Sequence, residues 1–465
     1  MRLSARHCML AGRAYLGLSR PFDLLTALLL ILAFAGAGWK IGHRTPSADF
    51  AVQSPSVRPA LTPLASGSTG GSGQQSPDGQ FRFSAGFVSA SPGQAVHAAS
   101  IAELRDGGLL AVWFSGSREG AGDVTIQSAR MDPTTFQWAA EKTVFDRQQL
   151  QRGLWRYVKK LGNPVVARAP DGSLWLWMVN VSLGGWAGSA ITWSRSADDG
   201  VSWSTPRRLV TSPFLNISTL VKGAPVALAD GQISLPVYHE FVTKFGELLR
   251  IGADGQVLDK TRIPGSQSSL QPVVLASAPL HAQAYMRSGR AEKIMLSETA
   301  DAGKTWTPAR PIGWPNPDSA LAGVVTTSGL QWLALNPMAS GRESLALLQA
   351  SAAAGFDGSQ PWMVEQSAAA GVSVAAFERL LGDELVARGS SNTQAQAYVS
   401  SAVRQLCNHD RCSQEFSYPY LLQTRDGVIH LVYTWHRTRI KHVRFDPQQS
   451  GLMAPTVATK DAVTH

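Results

Sequence analysis

Several residues able to do chemistry recur at comparable places in this 465-residue chain. His97, Asn163, Gln271, Asn316 or Asp318, and Tyr418 each open a segment of similar pattern. An imidazole, a phenol, amides and a carboxylate gathered at one place could bind a polar group and move protons on it. Arg118, Arg287, Arg342 and Arg437 lie in or beside these segments. A guanidinium stays charged and presents a planar fork that bonds a carboxylate bidentately. The hexapeptide Cys407-Asn408-His409-Asp410-Arg411-Cys412 could close a small disulfide in an oxidising compartment or hold free thiols, and a metal would need more ligands than it supplies.

Repeats show which elements must position these groups. Asn163-Pro164-Val165-Val166 leads to Asp171-Gly172 and an apolar run from Leu174, and Tyr418-Pro419-Tyr420-Leu421 leads to Asp426-Gly427 and a run from Ile429. His97-Ala98-Ala99-Ser100 leads to Asp106-Gly107 in the same way. Ala224-Pro225, Gln271-Pro272 and Asn316-Pro317 open looser copies. Each unit is a strand, a tight turn and a strand. Six such units predict a six-bladed β-propeller, an all-β fold in which residues at the blade starts converge on the channel mouth. A second repeat, Ser196-Ala197-Asp198-Asp199-Gly200-Val201-Ser202-Trp203 and Thr299-Ala300-Asp301-Ala302-Gly303-Lys304-Thr305-Trp306, is an Asp-box turn. Its Asp and Ser/Thr bond local backbone, Gly takes a positive φ and Trp closes the turn. Weaker echoes lie at Ser128 to Trp138 and Ser351 to Trp362. An insertion is expected at about 365–413, with a helix over Ala375 to Val386.

The net charge is +9. Basic clusters at Arg152, Arg156, Lys159, Lys160 and at Arg437, Arg439, Lys441, Arg444 come with no nucleic-acid-binding motif, so nucleic acid is not an expected partner. Residues 1–21 form a basic leader, and 22–39 read as a signal anchor or signal peptide. This predicts membrane association and a propeller facing the periplasm. Residues 40–80, rich in Ser, Pro and Gly, read as a flexible linker, and 81–450 as the propeller.

With its Asp-boxes and aligned blade starts, the stretch from about residue 95 to 445 resembles the sialidase (neuraminidase) superfamily, in its bacterial BNR-repeat branch. The resemblance implies a retaining exo-glycosidase acting on a terminal acidic sugar, with no metal or organic cofactor. Arg287 and Arg342 match the second and third arginines of the family's carboxylate clamp. Tyr418 matches the nucleophile, and Arg118 and Asp123 match an arginine and the acid/base aspartate of the first-blade loop. His97 stands where the family has its first clamp arginine, and Gln271 where it has the glutamate that activates the tyrosine. Glu415 and Glu240 are the alternatives for that glutamate, and Arg437 is a further candidate for the channel. The other reading is a non-catalytic carbohydrate-binding or scaffold propeller in envelope polysaccharide metabolism.

Overall fold

The structure, a computed structural model, describes residues 20–42, 48–52, 83–88, 91–212, 216–367 and 371–447. Cys8, most of the leader and the bulk of the expected linker lie outside the described residues. Two units are distinct, Met1–Pro46 and Ser47–His465. In the first, α1 runs Arg20–Gly42. Among the described residues no helix is long and apolar enough to cross a membrane. The expected spanning segment is therefore not supported. Its uncharged run is confined to Leu24 to Trp39, which at 1.5 Å per residue is about 24 Å against a hydrocarbon core of about 30 Å.

In the second unit, D-G turns set the strand lengths. Asp106 Oδ1 accepts from Gly108 N at 2.9 Å, Asp171 Oδ1 from Ser173 N at 2.9 Å and Asp426 Oδ1 from Val428 N at 3.1 Å. The glycine of each pair takes a positive φ that a Cβ would penalise. Among the described residues these hairpins build six antiparallel sheets of four or five strands. The first strands are β1 (Ala95–Glu103), β2 (Lys160–Arg168), β3 (Leu220–Val221) with its partner β4 (Ile233–Glu240), β5 (Ser269–Ala276), β6 (Ala322–Val325) and β7 (Phe416–Gln423). Successive first strands pack side by side, and β7 packs on β1. This is an all-β fold consistent with a β-propeller. Ser84–Phe87 completes the last sheet by pairing with Arg439–Phe445, so a short N-terminal strand fastens the C-terminal sheet.

The two Asp-boxes form as expected. Asp198 Oδ1 accepts from Ser202 N at 2.9 Å, and Asp301 Oδ1 from Thr305 N at 2.9 Å. Trp306 Nε1 donates to Gly303 O at 3.2 Å. Five residues of the expected linker behave otherwise. Phe50 is buried among Leu228, Ala302 and Trp306, and Phe50 N donates to Pro279 O at 2.8 Å. The aromatic side chain of Phe50, flanked by Ala48 and Val52 packed on the same cluster, is the physical reason.

The insertion holds α2 (Val374–Ala387), α3 (Asn392–Leu406) and a small three-stranded sheet. Cys407 and Cys412 are disulfide-bonded. It covers the seam between the last and first sheets: Ser401 Oγ donates to Gln94 O at 3.1 Å and Thr438 Oγ1 to Tyr398 O at 3.1 Å.

Candidate active site

The site begins as a backbone irregularity. The ladder breaks register between His97 and Ser100, Gly162 and Val165, Leu270 and Val273, and Ser417 and Tyr420. At these bulges Ala98, Asn163, Gln271 and Tyr418 have φ of 54°, 40°, 50° and 52°. Ser218 before β3 and Asp318 before β6 do the same at 60° and 54°. Proline follows Asn163, Gln271 and Tyr418 and donates nothing to the ladder. A bulge re-aims the side chain it carries, and a non-glycine residue held left-handed costs about 1–3 kcal/mol. Six such positions at the same end of six sheets mark one locus. The sequence places this locus correctly in β2, β5 and β7. In the first sheet the bulge residue is Ala98, one after His97. In the third it is Ser218, not Ala224, because no proline follows and the edge is split between β3 and Val226–Ala227. In the fifth it is Asp318, not Asn316.

Three guanidiniums meet there. Arg287 Nε lies 2.6 Å from Asp318 Oδ1, and its Nη1 donates to Gln271 Oε1 at 3.1 Å. Arg342 Nη2 donates to Asp318 O at 3.0 Å, and its Nη1 lies 3.5 Å from Glu415 Oε1. Arg437 Nε lies 2.8 Å from Glu415 Oε2, and its Nη1 lies 3.7 Å from Glu119 Oε2. Burial opposes the charge of Arg287 and Arg437. For Arg287, Tyr418 and Asp318 outweigh it, and for Arg437, Glu415, Glu119 and Tyr418 do, so both are held above the ordinary range.

His97 packs against Tyr418, with ring centroids 4.3 Å apart. It is buried, and burial followed by the charges of Arg437, Arg342, Lys222 and Arg287 pushes its pKa well down. A neutral imidazole therefore stands beside Tyr418. Below the ring, Lys222 Nζ donates to Pro419 O at 2.8 Å, and burial lowers its pKa to about 7. Glu240 ends β4 half-buried; burial raises its pKa, against Lys244 and Arg287. Glu415 is fully engaged. Besides the two arginines it accepts from Ser417 Oγ at 2.6 Å.

Two expected residues stay outside this group. Asp123 is exposed and accepts from Ser117 N at 2.9 Å and Ser117 Oγ at 3.0 Å. It is a turn residue, because the Gly-rich loop needs a side-chain acceptor for its own backbone. Arg118 is exposed on the same loop. The carboxylate of this loop that faces the cluster is Glu119. Sequence reasoning missed Glu119, Lys222 and Tyr238. Tyr238 and Glu240 stand two apart on one strand and so share a face, and Lys222 is a lone cation after the apolar pair Leu220-Val221; both patterns were available signals. Among the described residues no cluster of His, Cys, Asp or Glu is placed to hold a metal.

Residues 107–431 match the BNR repeat-like domain family. The chain belongs to this family. Its fold is like that of sialidases of solved structure. The microbial sialidase Hz136 from a Hadza source superimposes with a TM-score of 0.57 at 13% identity over 76% of this chain, which spans 66% of that protein. The intramolecular trans-sialidase of Ruminococcus gnavus, solved with oseltamivir carboxylate, gives 0.55 at 11% identity over 81% of this chain and 99% of its own. A Dyadobacter fermentans protein of unknown function gives 0.56 at 11% identity, over 77% and 97%. At these identities the likeness shows the fold alone. No curated protein matches this BNR repeat-like chain in sequence.

Proposed function

We propose that the six sheets are the blades of a six-bladed propeller and that the chain is a sialidase-type exo-glycosidase acting on a terminal acidic sugar. The observation that carries this reading is the convergence of Arg287, Arg342 and Arg437 on the locus of Tyr418. The three forks bind the sugar carboxylate. Glu119 protonates the glycosidic oxygen as its bond to the anomeric carbon breaks. Tyr418 Oη bonds that carbon, and its proton passes to Glu240, whose pKa burial raises, making it a stronger base than an ordinary carboxylate. Water then attacks the anomeric carbon of the glycosyl-tyrosine and gives its proton to Glu119, while the departing phenolate of Tyr418 recovers its proton from Glu240, with net retention. A phenol suits this role because a carboxylate nucleophile would be repelled by the substrate's own charge.

The binding-propeller alternative draws on the pairing of all three guanidiniums with protein acceptors and on Gln271 in place of a glutamate. The deciding experiment is turnover of fluorogenic α-glycosides of sialic, other nonulosonic and uronic acids by the full chain. Turnover abolished in Tyr418→Phe is the expected result. Binding of an acidic sugar with no turnover of any of these glycosides would favour the alternative. We further propose that the protein works outside the reducing cytosol, because the Cys407–Cys412 disulfide persists in oxidising compartments. Both thiols alkylating freely in protein taken directly from cells would refute this.

A further inference from the structure

Glu119, the acid of the proposed reaction, fixes where the rest of the substrate must lie. It protonates the glycosidic oxygen, so the departing sugar sits on its side of the site. Glu119 belongs to the loop between the strands Leu109–Gly116 and Thr125–Met131, and cations flank that loop. Lys160 lies over Gly120, its Nζ 3.4 Å from where a Cβ on that glycine would stand, and Arg147 Nη1 lies 2.8 Å from the same point on Gly122. Lys160 Nζ is also 5.6 Å from the centre of the Trp186 ring, and Trp186 packs on Gly162, next to the bulge residue Asn163. From this point a strip of surface crosses the second sheet to its outermost strand, Arg207–Arg208. Lys159 Nζ donates to Gly184 O at 3.5 Å. Arg156 and Tyr157 are exposed, and Trp155 is 95% exposed. Arg156 lies close enough to Arg208 that, after burial, its charge lowers the Arg208 pKa. Lys160 to Arg156 is at most about 14 Å of extended chain, so the strip continues well beyond the site.

The strip carries charge that nothing beside it balances. Residues 147–160 hold five cations and no carboxylate. Asp146, just before them, caps the helix Arg147–Leu154 and accepts from Gln149 N at 2.6 Å. Among the described residues none of the five cations makes an ion pair. At the opposite end of the same sheet the arginines are paired, Arg168 with Asp199 and Arg195 with Asp171. Free cations interleaved with exposed aromatic rings suit carboxylates carried on sugar rings: the cations take the carboxylates, and the aromatic faces take the apolar C–H faces of the sugars. We propose that the substrate is an acidic polysaccharide and that this strip holds the acidic sugars that follow the terminal one. The proposal rests on the glycosidase reading and names its substrate class. No bond is made or broken on the strip. It makes a chain bind more tightly than a single sugar, most of all at low salt, because exposed charges are screened.

Two measurements on the full chain test this. The first compares the Kd of monomer and tetramer of α-2,8-linked sialic acid, and of α-linked galacturonic acid, in the Tyr418→Phe background so that no oligomer is cut. For one of the two sugars the tetramer should bind at least about tenfold tighter than its monomer at about 0.05 M salt, with the gain shrinking at about 0.3 M. The pair Arg156→Glu and Lys159→Glu should abolish the gain. A tetramer no tighter than its monomer overturns the inference. So does an oligothymidylate of equal charge binding as tightly as the sugar tetramer, which would make the strip a general polyanion surface. The second measurement takes the ratio of kcat/KM for the tetramer to that for the 4-methylumbelliferyl glycoside of the same sugar, with Tyr418 in place. Arg156→Glu with Lys159→Glu should lower this ratio at least about tenfold, and an unchanged ratio overturns the inference. Turnover of the monomeric glycoside without any gain from chain length sinks the strip and leaves the glycosidase reading standing. A gain from chain length with no turnover of any glycoside removes the glycosidase reading and leaves the strip as a polysaccharide-binding surface.

Discussion

Arg437 Nε lies 2.8 Å from Glu415 Oε2, and the backbone carbonyl of the same arginine accepts from Val96 N at 2.9 Å. The last sheet therefore delivers a guanidinium to the point where the first sheet offers only the neutral ring of His97. On the proposed glycosidase reading, Arg437 takes the place of the first clamp arginine, from the other side of the seam. Arg437→Ala is expected to lower kcat/KM about 100-fold, mostly through KM. Arg437→Lys should recover less than about tenfold of this, since an ammonium cannot bond a carboxylate bidentately. Steady-state kinetics on an acidic-sugar glycoside check it, and full recovery by lysine would show that charge alone suffices.

The loop around residues 117–123 carries two carboxylates, of which the sequence pointed only to Asp123. Asp123 holds Ser117, whereas Glu119 faces Arg437. Glu119→Gln should lower kcat about 100- to 1,000-fold on glycosides with poor leaving groups and far less on activated aryl glycosides, as expected for loss of a general acid. Asp123→Asn should change kcat by less than about threefold while lowering Tm, because it weakens a turn. A leaving-group series for both variants distinguishes them. The opposite pattern would return the acid role to Asp123.

The fold was legible because its signals are local. An Asp-box or a D-G turn is completed within eight residues by its own backbone, so Asp198, Asp301 and Asp426 could be read without knowing any neighbour. Tyr418 and Gln271 were legible for the same reason, since each sits before a proline inside a repeat. Residues whose roles depend on other sheets were not. Tyr238 accepts from Asn163 and Gln271, 75 and 33 residues away, and its spacing from Glu240 marks a shared strand face but not those partners. Glu415 looked available beside Tyr418, but Arg342, Arg437 and Ser417 all claim it. The α3 helix hid in a sequence of modest apolar content, although Ser391 and Gln394 form the capping box that starts it.

Four buried histidines make stability acid-sensitive. His430 Nδ1 and His442 Nε2 lie 2.9 Å apart, and Trp138 Nε1 donates to His442 Nδ1 at 3.3 Å. Burial lowers the pKa of His97, His430, His436 and His442, in the case of His430 to about 3. In the unfolded chain each titrates near 6.5. Below that pH the unfolded state binds more protons than the folded one, so stability falls as pH falls. Tm should drop steadily between about pH 6.5 and 3. His442→Gln should flatten part of that slope in a series of melting curves; parallel curves would exclude the pair as a source.

Lys222 gives the opposite end of the pH scale its own signature. Its ammonium is buried against the rings of Tyr418 and Tyr420, at 5.9 and 5.6 Å from their centroids, and bonded to Pro419 O. An unfolded lysine titrates near 10.5, whereas burial brings Lys222 to about 7. Between these values the unfolded chain holds the proton and the folded chain does not, so stability rises with pH across this window. Below about pH 7 both states are protonated and the penalty is constant. Lys222→Met carries no such term. It also loses the Pro419 bond, an offset that does not depend on pH. The Tm of the variant minus that of the native protein should therefore be most favourable to the variant at pH 7 and below, and fall progressively towards pH 10. Paired melting curves at closely spaced pH values read this difference directly, because every other titrating group cancels. A constant difference from pH 6 to pH 10 would mean that the folded protein leaves Lys222 with its ordinary proton affinity, and Tyr418 would then be backed by a permanent cation.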